Sequence, residues 1–582
     1  MAQSKLHQLA AYLRPHWRNA LLGIFALLVV NLLSVRIPLI IGEAVDQLKV
    51  SFSLSRGLRD VILILVLASV MWVIRMTSRV LIFGVGRQVE FDLKQRIFQH
   101  LLTLEPAYFG ENTIGDLINR ATSDVDNIRR LLGFAVLSIA NTLFAYVLTI
   151  PAMLSISVQL TLVALAIYPV MLVLVRLFSE RLRQQQLTVQ QSLSDLSTLI
   201  QEDMSGMALV KIYAQEGNEQ QAFSNQNRVV LEANLALAKT RNTLFPLLGG
   251  LASLSLAIIL AVGSRAIAAG TLSEGNFISL ILYVGNLVFP TALLGFTITA
   301  YQRGEVSVDR IESIFSAQPK IFTQPAAVDL TQMPVAGRLV AHHLSYTYPG
   351  SLTPALDDVS FTVEPGQTVA VVGPIGAGKS TLAKSLPRLL DIPTQQLFID
   401  GHDVTQITLP SLRRVIAFVP QDSFLFSTKI KNNIRYGDPL AESPEIQAAA
   451  KLSQIREEIL KFPQQYDTLV GERGITLSGG QRQRTALARA LLVDAQILVL
   501  DDALSSVDNQ TATLILENLS QGTQRKTVIF ITHQMSAAAN ADRILVMDKG
   551  RIAQSGSHPD LLSQSGLYRT LWNQHKLKEV LR

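Results

Sequence analysis

Apolar stretches long enough to cross a bilayer recur through the first half of the chain, at 19–42, 61–81, 131–154, 160–175, 242–264 and 275–302. A hydrocarbon core takes roughly 20 residues of helix. The run 131–175 has no charged residue and is long enough for two helices, with the polar SISVQ at 155–159 as the turn between them. The pattern therefore predicts six helical spans, with both ends of the membrane domain on one side. After residue 337 the pattern changes to short aliphatic runs alternating with helical periodicity, the signature of an α/β domain. Between the two, 318–337 is punctuated by Pro319, Pro325 and Pro334 and reads as a linker. The predicted architecture is multidomain: an all-α membrane domain at 1–317, the linker at 318–337, and an α/β phosphate-loop nucleotide-binding domain at 338–582.

The loops orient the spans. Those between spans two and three and between spans four and five are long and rich in Arg and Lys (Arg87, Lys94, Arg96, Arg120, Arg129, Arg130; Arg181, Arg183, Lys211, Arg228, Lys239), and the opposite connections are short and charge-poor. The positive-inside rule makes the long loops cytoplasmic. Both keep three- and four-residue apolar spacing, so spans two to five are expected to continue as helical rods beyond the bilayer, with turn-like tips near 110–120 and 213–223. At the N-terminus, Leu6, Leu9, Ala10 and Leu13 share one helical face ahead of Trp17. This predicts a cytoplasmic interfacial helix, with packing against protein as the alternative, and no cleavable signal is expected. Arg36 and Arg75 fall at membrane depth, where a charge implies a water-lined path unless it snorkels or pairs with a carboxylate such as Glu43 or Asp46.

Composition agrees with a membrane protein. Of the 582 residues 49% are hydrophobic and 16% charged, more apolar than a soluble domain. The net charge of +6 is accounted for by the loops and calls for no nucleic-acid partner. With no cysteine in the chain, disulfides, zinc-thiolate sites and thiol nucleophiles are excluded.

The second half carries the chemistry. GPIGAGKST, lying between the strand-like TVAVVG and a helix-like TLAKSL, fits GxxxxGK[ST]. In that context the backbone N–H groups of Gly373, Gly376, Ala377, Gly378 and Thr381 wrap phosphates, Lys379 reaches their outer oxygens, and Ser380 ligates Mg2+. The buried run ILVL at 497–500 delivers Asp501 and Asp502 to the C-terminal end of a strand, where ligands collect in open α/β sheets. Asp501 is the candidate magnesium carboxylate, and Asp502 is placed to orient or deprotonate a hydrolytic water. Gln421 in FVPQD can offer an amide oxygen to the metal or the water, His533 in VIFITHQMS can reach a terminal phosphate, and Tyr348 in LSYTYPG can stack on a base. LSGGQ at 477–481 opens a helix with a hydroxyl (Ser478), glycines including Gly480, and Gln481, a second site for a polyphosphate.

This ordered set, Tyr348, GPIGAGKST, Gln421, LSGGQ, ILVLDD, SSVD and His533 behind six spans, resembles the half-transporters of the ATP-binding-cassette exporter family over essentially the whole chain. The resemblance implies ATP and Mg2+ as cofactors and a multi-pass protein of a bacterial plasma (inner) membrane, with cassette and N-terminus cytoplasmic. It also implies a second half-transporter as partner, so that ATP lies between one chain's phosphate loop and the other's Ser478, Gly480 and Gln481. The loop tips are similar to that family's coupling helices. Function is then ATP-driven export of amphipathic or lipophilic molecules by alternating access, with lipid flipping or siderophore-type import on the same fold as alternatives. One residue departs from the family pattern: Asp502 stands where a glutamate is usual, as in the weak-site member of heterodimeric multidrug-type exporters. An unlike partner is the expectation, and a second copy the alternative.

Overall fold

Apolar periodicity that runs past the hydrocarbon produces helices longer than a membrane needs. The computed structural model describes residues 5–50, 53–520 and 525–580. Six long helical segments carry apolar windows: His7–Lys49, Leu54–Leu101, Ile114–Ile156, Val158–Ser205, Glu216–Ala268 and Glu274–Phe315. At 1.5 Å per residue, the 53-residue helix Glu216–Ala268 is roughly 80 Å long, more than twice a bilayer's hydrocarbon thickness. On the second helix Ile62, Leu65, Val66, Trp72 and Val80 remain exposed, the face a bilayer would cover. The chain leaves helical geometry at Ser157 (φ −159°, ψ 118°), whose hydroxyl caps the next helix by accepting from Leu160 N–H.

Helix contact in the bundle depends on small residues, because in lipid close backbone approach replaces hydrophobic drive. A Cβ on Gly275 would lie 2.0 Å from Gly42 O, and one on Gly304 would lie 2.7 Å from the Leu131 side chain. Beside the first of these crossings Asp46 accepts from Gly275 N–H at 2.7 Å, so Asp46 is committed to a backbone and not to an arginine. Glu43 likewise makes no ion pair among the described residues. Arg36 is exposed, whereas Arg75 lines a cavity.

Three expectations are adjusted. The N-terminal helix Lys5–Leu13 buries Leu9 and Tyr12; Tyr12 donates to Glu312, and His16 bonds Asp92 at 2.8 Å. It therefore packs on protein, because a tyrosine hydroxyl and a histidine ring find carboxylate partners on the bundle; Met1–Ser4 and the Leu6 side chain lie outside the described residues. The predicted tips hold breaks in the rods, at 112–113 and 213–215, but the short helices Pro106–Glu111 and Met207–Ile212 come before those breaks, after Pro106 and Gly206 interrupt the preceding rods. A further short helix, Ile114–Asn119, occupies the first tip. The proline-rich stretch after 317 is also more ordered than a linker: it bridges Val328 to Ile407, forms a turn at Leu330–Gln332, and buries Ile321 and Leu330.

By contact the chain forms two units, Met1–Leu102 with Asn112–Ala317, and Thr103–Glu111 with Gln318–Arg582. The second unit contains strands β1 (Leu339–Tyr346), β2 (Leu356–Val363), β3 (Thr368–Val372), β4 (Leu397–Ile399), β5 (His402–Asp403), β6 (Ile416–Val419), β7 (Ile497–Asp501), β8 (Thr527–Ile531), β9 (Arg543–Asp548) and β10 (Arg551–Gly556). An antiparallel sheet has the order β2-β1-β4-β5, and the larger sheet β10-β9-β3-β8-β7-β6. In the larger sheet all pairs but β10–β9 are parallel. Every residue of β3, β7 and β8 is buried, which is why these strands read as unbroken aliphatic runs instead of alternating. Their C-terminal ends lie side by side and set the position of the site.

Candidate functional site

The phosphate loop follows β3 because two of its glycines occupy positions closed to a side chain. Gly373 (φ +151°) and Gly378 (φ +92°) would place a Cβ 2.2 Å from Met547 O and 2.4 Å from Ala355 O. Gly378 then caps the helix Lys379–Ser385. Lys379 is 6% exposed and donates to Gly373 O at 2.9 Å and Pro374 O at 2.8 Å. Burial lowers its pKa, while Asp502 and Asp501 oppose that shift. The ammonium is thus held over the loop by carbonyls, desolvated and facing two carboxylates.

Strands β7 and β8 supply the acids. Asp501, the last residue of β7, is buried and accepts from Ser380 Oγ at 2.8 Å. Burial raises its pKa against that hydrogen bond and the nearby Lys384 and Lys379. Asp502 N–H donates to Ile531 O at 3.1 Å, which anchors the acid to the end of β8. Its backbone is left-handed (φ +50°), a conformation Asp and Asn adopt more readily than other non-glycine residues. Desolvation pushes the Asp502 carboxyl up, and His533 pulls it back down.

A cavity of about 910 Å³ collects these groups. Tyr348, Gly376, Ala377, Gly378, Lys379, Ser380, Thr381, Gln421, Asp502 and His533 all line it. Asp501 joins through Ser380, and Gly373 shapes the loop beneath. Tyr348 is 38% exposed, meets Tyr346 edge-on at 5.0 Å, and its hydroxyl lies 3.3 Å from Thr381 Oγ1, leaving a ring face available. Sequence reasoning missed Lys549 and Gly550, which also line the cavity. They form the β9–β10 hairpin turn with φ of +46° and +80°, and the Asp-Lys-Gly at 548–550 was the available signal.

Ser478, Gly480 and Gln481 are not part of that cavity's lining. They open the helix Gly479–Leu492 through a capping box: Ser478 Oγ accepts from Gln481 N–H at 3.3 Å, and Ser478 N–H donates to Gln481 Oε1 at 3.0 Å. Gln481 Nε2 donates to Glu458 at 2.8 Å. A Cβ at Gly480 would approach Ser506 O to 2.8 Å. Within one chain the two groups are therefore separate: a loop with its acids, and a capped helix start.

The donor set around Ser380 is all oxygen: a hydroxyl, the Asp501 carboxylate and the nearby Gln421 amide. No cluster of three or more His, Asp and Glu suited to a metal occurs among the described residues. A hard cation that keeps waters and phosphate oxygens as ligands fits such a sparse set.

The family description "ABC transporter transmembrane region" matches residues 20–291, and "ABC transporter" matches 356–505. The chain is 32% identical to the "Probable multidrug resistance ABC transporter ATP-binding/permease protein YheI" of Bacillus subtilis over 99% of this chain and 98% of the relative. The chain belongs to the ABC transporter family. It is also 33% identical to the "Multidrug resistance-like ATP-binding protein MdlA" of Escherichia coli, over 99% of this chain and 97% of that one. An "ATP-dependent lipid A-core flippase" of Pseudomonas fluorescens is 36% identical over 82% of this chain and 79% of its own length. Among solved structures, a bacterial Atm1-family ABC exporter with ATP bound has a TM-score of 0.78 at 27% identity, covering 97% of this chain and 99% of that one. The transporter is thus a multi-pass integral membrane protein and an ATP-driven ABC exporter, an ATPase coupled to transport that binds nucleotide and works as a dimer of half-transporters.

Proposed function

We propose that the transporter exports amphipathic or lipophilic molecules across a bacterial plasma membrane by alternating access, with cassette and N-terminus cytoplasmic. The observation that carries this reading is the split of the nucleotide chemistry into two half-sites on one chain, a loop-and-acid cavity and a capped LSGGQ helix outside it. Such a chain completes its sites by pairing, and closure of two cassettes on nucleotide is a means of moving the attached helical rods. The working domain limits are 1–317, 318–337 and 338–582.

Within the site, Lys379 and the N–H groups of Gly373, Gly376, Ala377, Gly378 and Thr381 bind the phosphates, and Tyr348 stacks on the base. Ser380, Asp501 and Gln421 hold Mg2+, which when bound neutralises phosphate charge. Asp502 orients and deprotonates the attacking water, and His533 contacts the terminal phosphate. Ser478, Gly480 and Gln481 serve the partner's phosphate loop. The shorter Asp502 favours an unlike partner with a competent site, and that preference rests on this residue alone.

The experiment is ATP-driven uptake of a lipophilic dye into inside-out proteoliposomes, with Lys379→Ala as the inactive control. Uptake abolished by the substitution supports export, and uptake indifferent to ATP overturns it. A second reading, lipid translocation between leaflets, is supported by the flippase relatives, and a fluorescent-lipid flip assay in the same vesicles separates the two.

A further inference from the structure

Apolar spans with few charges predict a lipophilic cargo and no more. The folded bundle adds charge that no single span reveals. A cavity of about 1030 Å³ is lined by Arg129, Arg130, Arg183, Arg241 and Arg303 against a single carboxylate, Asp126. These arginines come from four separate stretches of the chain. Arg129 and Arg130 immediately precede the apolar run 131–154, Arg241 precedes 242–264, and Arg303 follows 275–302. Arg183 lies about two helical turns beyond 175. All five therefore lie past the same end of the apolar segments, Arg129, Arg130, Arg241 and Arg303 at or next to the boundary and Arg183 farther out.

The bland explanation is the excess of cationic residues that marks the cytoplasmic side of any membrane protein. That rule places arginines at the membrane edge but does not turn them toward one internal space. Their pairing is also incomplete. Asp126 is shared by Arg129 (2.5 Å) and Arg130 (2.7 Å), Arg129 also meets Glu90 at 3.4 Å, and Arg183 pairs with Glu180 at 2.6 Å. Arg241 and Arg303 have no carboxylate within ion-pair distance among the described residues. The helix carrying Arg129 and Arg130 is flanked by π turns at Arg120–Asp124 and Leu131–Ala135, a distortion common at functional sites.

A second cavity of about 490 Å³ adjoins the first, since Phe134 lines both. Arg75 and Arg79 line it at membrane depth together with Phe83 and Phe289. The only polar contact of Arg75 among the described residues is Met71 Sδ at 3.6 Å. A guanidinium in that setting needs water or an anion to be stable. Cationic groups at the membrane edge, continued inward by aromatic walls and two more cations, complement a molecule with an anionic head and an apolar body.

We propose that the two joined cavities bind an amphiphile with an anionic headgroup, phosphate or carboxylate, its head held by Arg241 and Arg303 and its apolar part against Phe134. This rests on the export reading and narrows its cargo. Planar guanidinium forks suit such anions because they donate two parallel hydrogen bonds.

The test is equilibrium binding to the full-length transporter in phosphatidylcholine nanodiscs without nucleotide, using dodecyl phosphate, dodecyltrimethylammonium and inorganic phosphate. Dodecyl phosphate should bind on the order of tenfold or more tighter than its cationic counterpart, the worth of one charged hydrogen bond. Arg241→Gln with Arg303→Gln should erase that preference, and Arg241→Lys with Arg303→Lys should keep much of it, which guards against simple misfolding. Equal or tighter binding of the cation overturns the proposal, as does a preference that survives the double Gln change. Inorganic phosphate competing as well as dodecyl phosphate overturns the amphiphile in favour of a free anion. Adding ATP-driven uptake of dodecyl phosphate into proteoliposomes separates the two readings. Anion-selective binding without uptake refutes export and leaves the site standing; uptake of lipophilic cations without anion selectivity refutes the site and leaves export standing.

Discussion

Ser380 Oγ donates to Asp501 Oδ1 at 2.8 Å, joining residues 121 apart in sequence. The bond ties the first turn of the phosphate-loop helix to the end of β7, so the hydroxyl and the carboxylate face one point. Asp501 is buried, and the hydroxyl stabilises its charged form, so a cation at that point can take over the place of the hydroxyl.

Ser380→Ala should therefore weaken the magnesium dependence of the ATPase more than nucleotide binding itself. In wild type, chelating Mg2+ should abolish turnover. In the variant, the Mg2+ concentration for half-maximal turnover should rise on the order of tenfold, the size of one hydrogen bond to a charged group. An unchanged magnesium titration would remove Ser380 from the metal site.

Tyr348→Ala should lower ATP affinity by about 1 kcal/mol, as expected for losing an aromatic stack, while inorganic triphosphate binding stays near wild type. The edge contact with Tyr346 and the hydroxyl beside Thr381 give the ring a structural use as well. Tyr348→Phe separates the two by keeping the stack. Equal losses for ATP and triphosphate in the Ala variant would assign the residue to structure alone.

In a dimer of two copies of this chain, sharing of sites is tested by distributing two lesions, with differently tagged copies purified as mixed dimers. If Ser478 serves the opposite loop, Lys379→Ala on one copy and Ser478→Ala on the other damage the same site and leave one intact. Both changes on a single copy damage both sites. Nucleotide trapping should then be about half of wild type in the first arrangement and near zero in the second, and the reverse order would place Ser478 in its own chain's site. Loss of the cap costs about 1 kcal/mol locally, the same in both arrangements, so it cancels.

Gly275→Leu should destabilise the membrane domain. Its Cβ would meet Gly42 O at 2.0 Å and Asp46 Cγ at 2.7 Å, and overpacking of that kind costs about 1–3 kcal/mol. Gly249, with nothing within 4 Å of a built Cβ, is the control: Gly249→Ala should leave the thermal midpoint in detergent unchanged while Gly275→Leu lowers it by several degrees.

These predictions differ in how much of their basis the sequence carried. Residues 373–381 were legible because the phosphate loop is contiguous and its glycines answer to backbone geometry. Asp501 and Asp502 were legible from the fully buried strand preceding them. Asp502's left-handed backbone was not, since φ there follows from how the chain turns between β7 and Ile531. The arginine cavity was hidden for another reason: Arg129 and Arg303 are far apart in sequence, and each alone reads as an ordinary loop cation. Ile321 and Leu330 were hidden by the prolines around them, which announce a break in periodicity but not the burial of the few apolar residues between.

Asp502, proposed as the base, is the residue whose substitution separates the two pairings. A base must be ionised, and desolvation raises this carboxyl above its ordinary value while His533 limits the rise. As pH falls, the ATPase of a site that depends on Asp502 should therefore decline at a higher pH than an ordinary carboxylate would give. Asp502→Asn keeps the side-chain size and tolerates φ +50°, so it removes the base with little backbone disturbance. If both sites of the dimer use Asp502, this change should lower turnover by roughly 10²- to 10⁴-fold, and the acid limb should vanish with the activity. If an unlike partner carries the competent site, the loss should be small and the acid limb should persist. Asp502→Glu then becomes informative: the extra methylene extends reach by about 1 Å, a displacement large enough to matter on the order of a hundredfold, against the strain of a glutamate at positive φ. A gain on Glu together with a small loss on Asn supports the unlike pairing. Vigorous turnover by this chain alone, abolished by Asn, establishes a dimer of identical chains in which aspartate is a sufficient base.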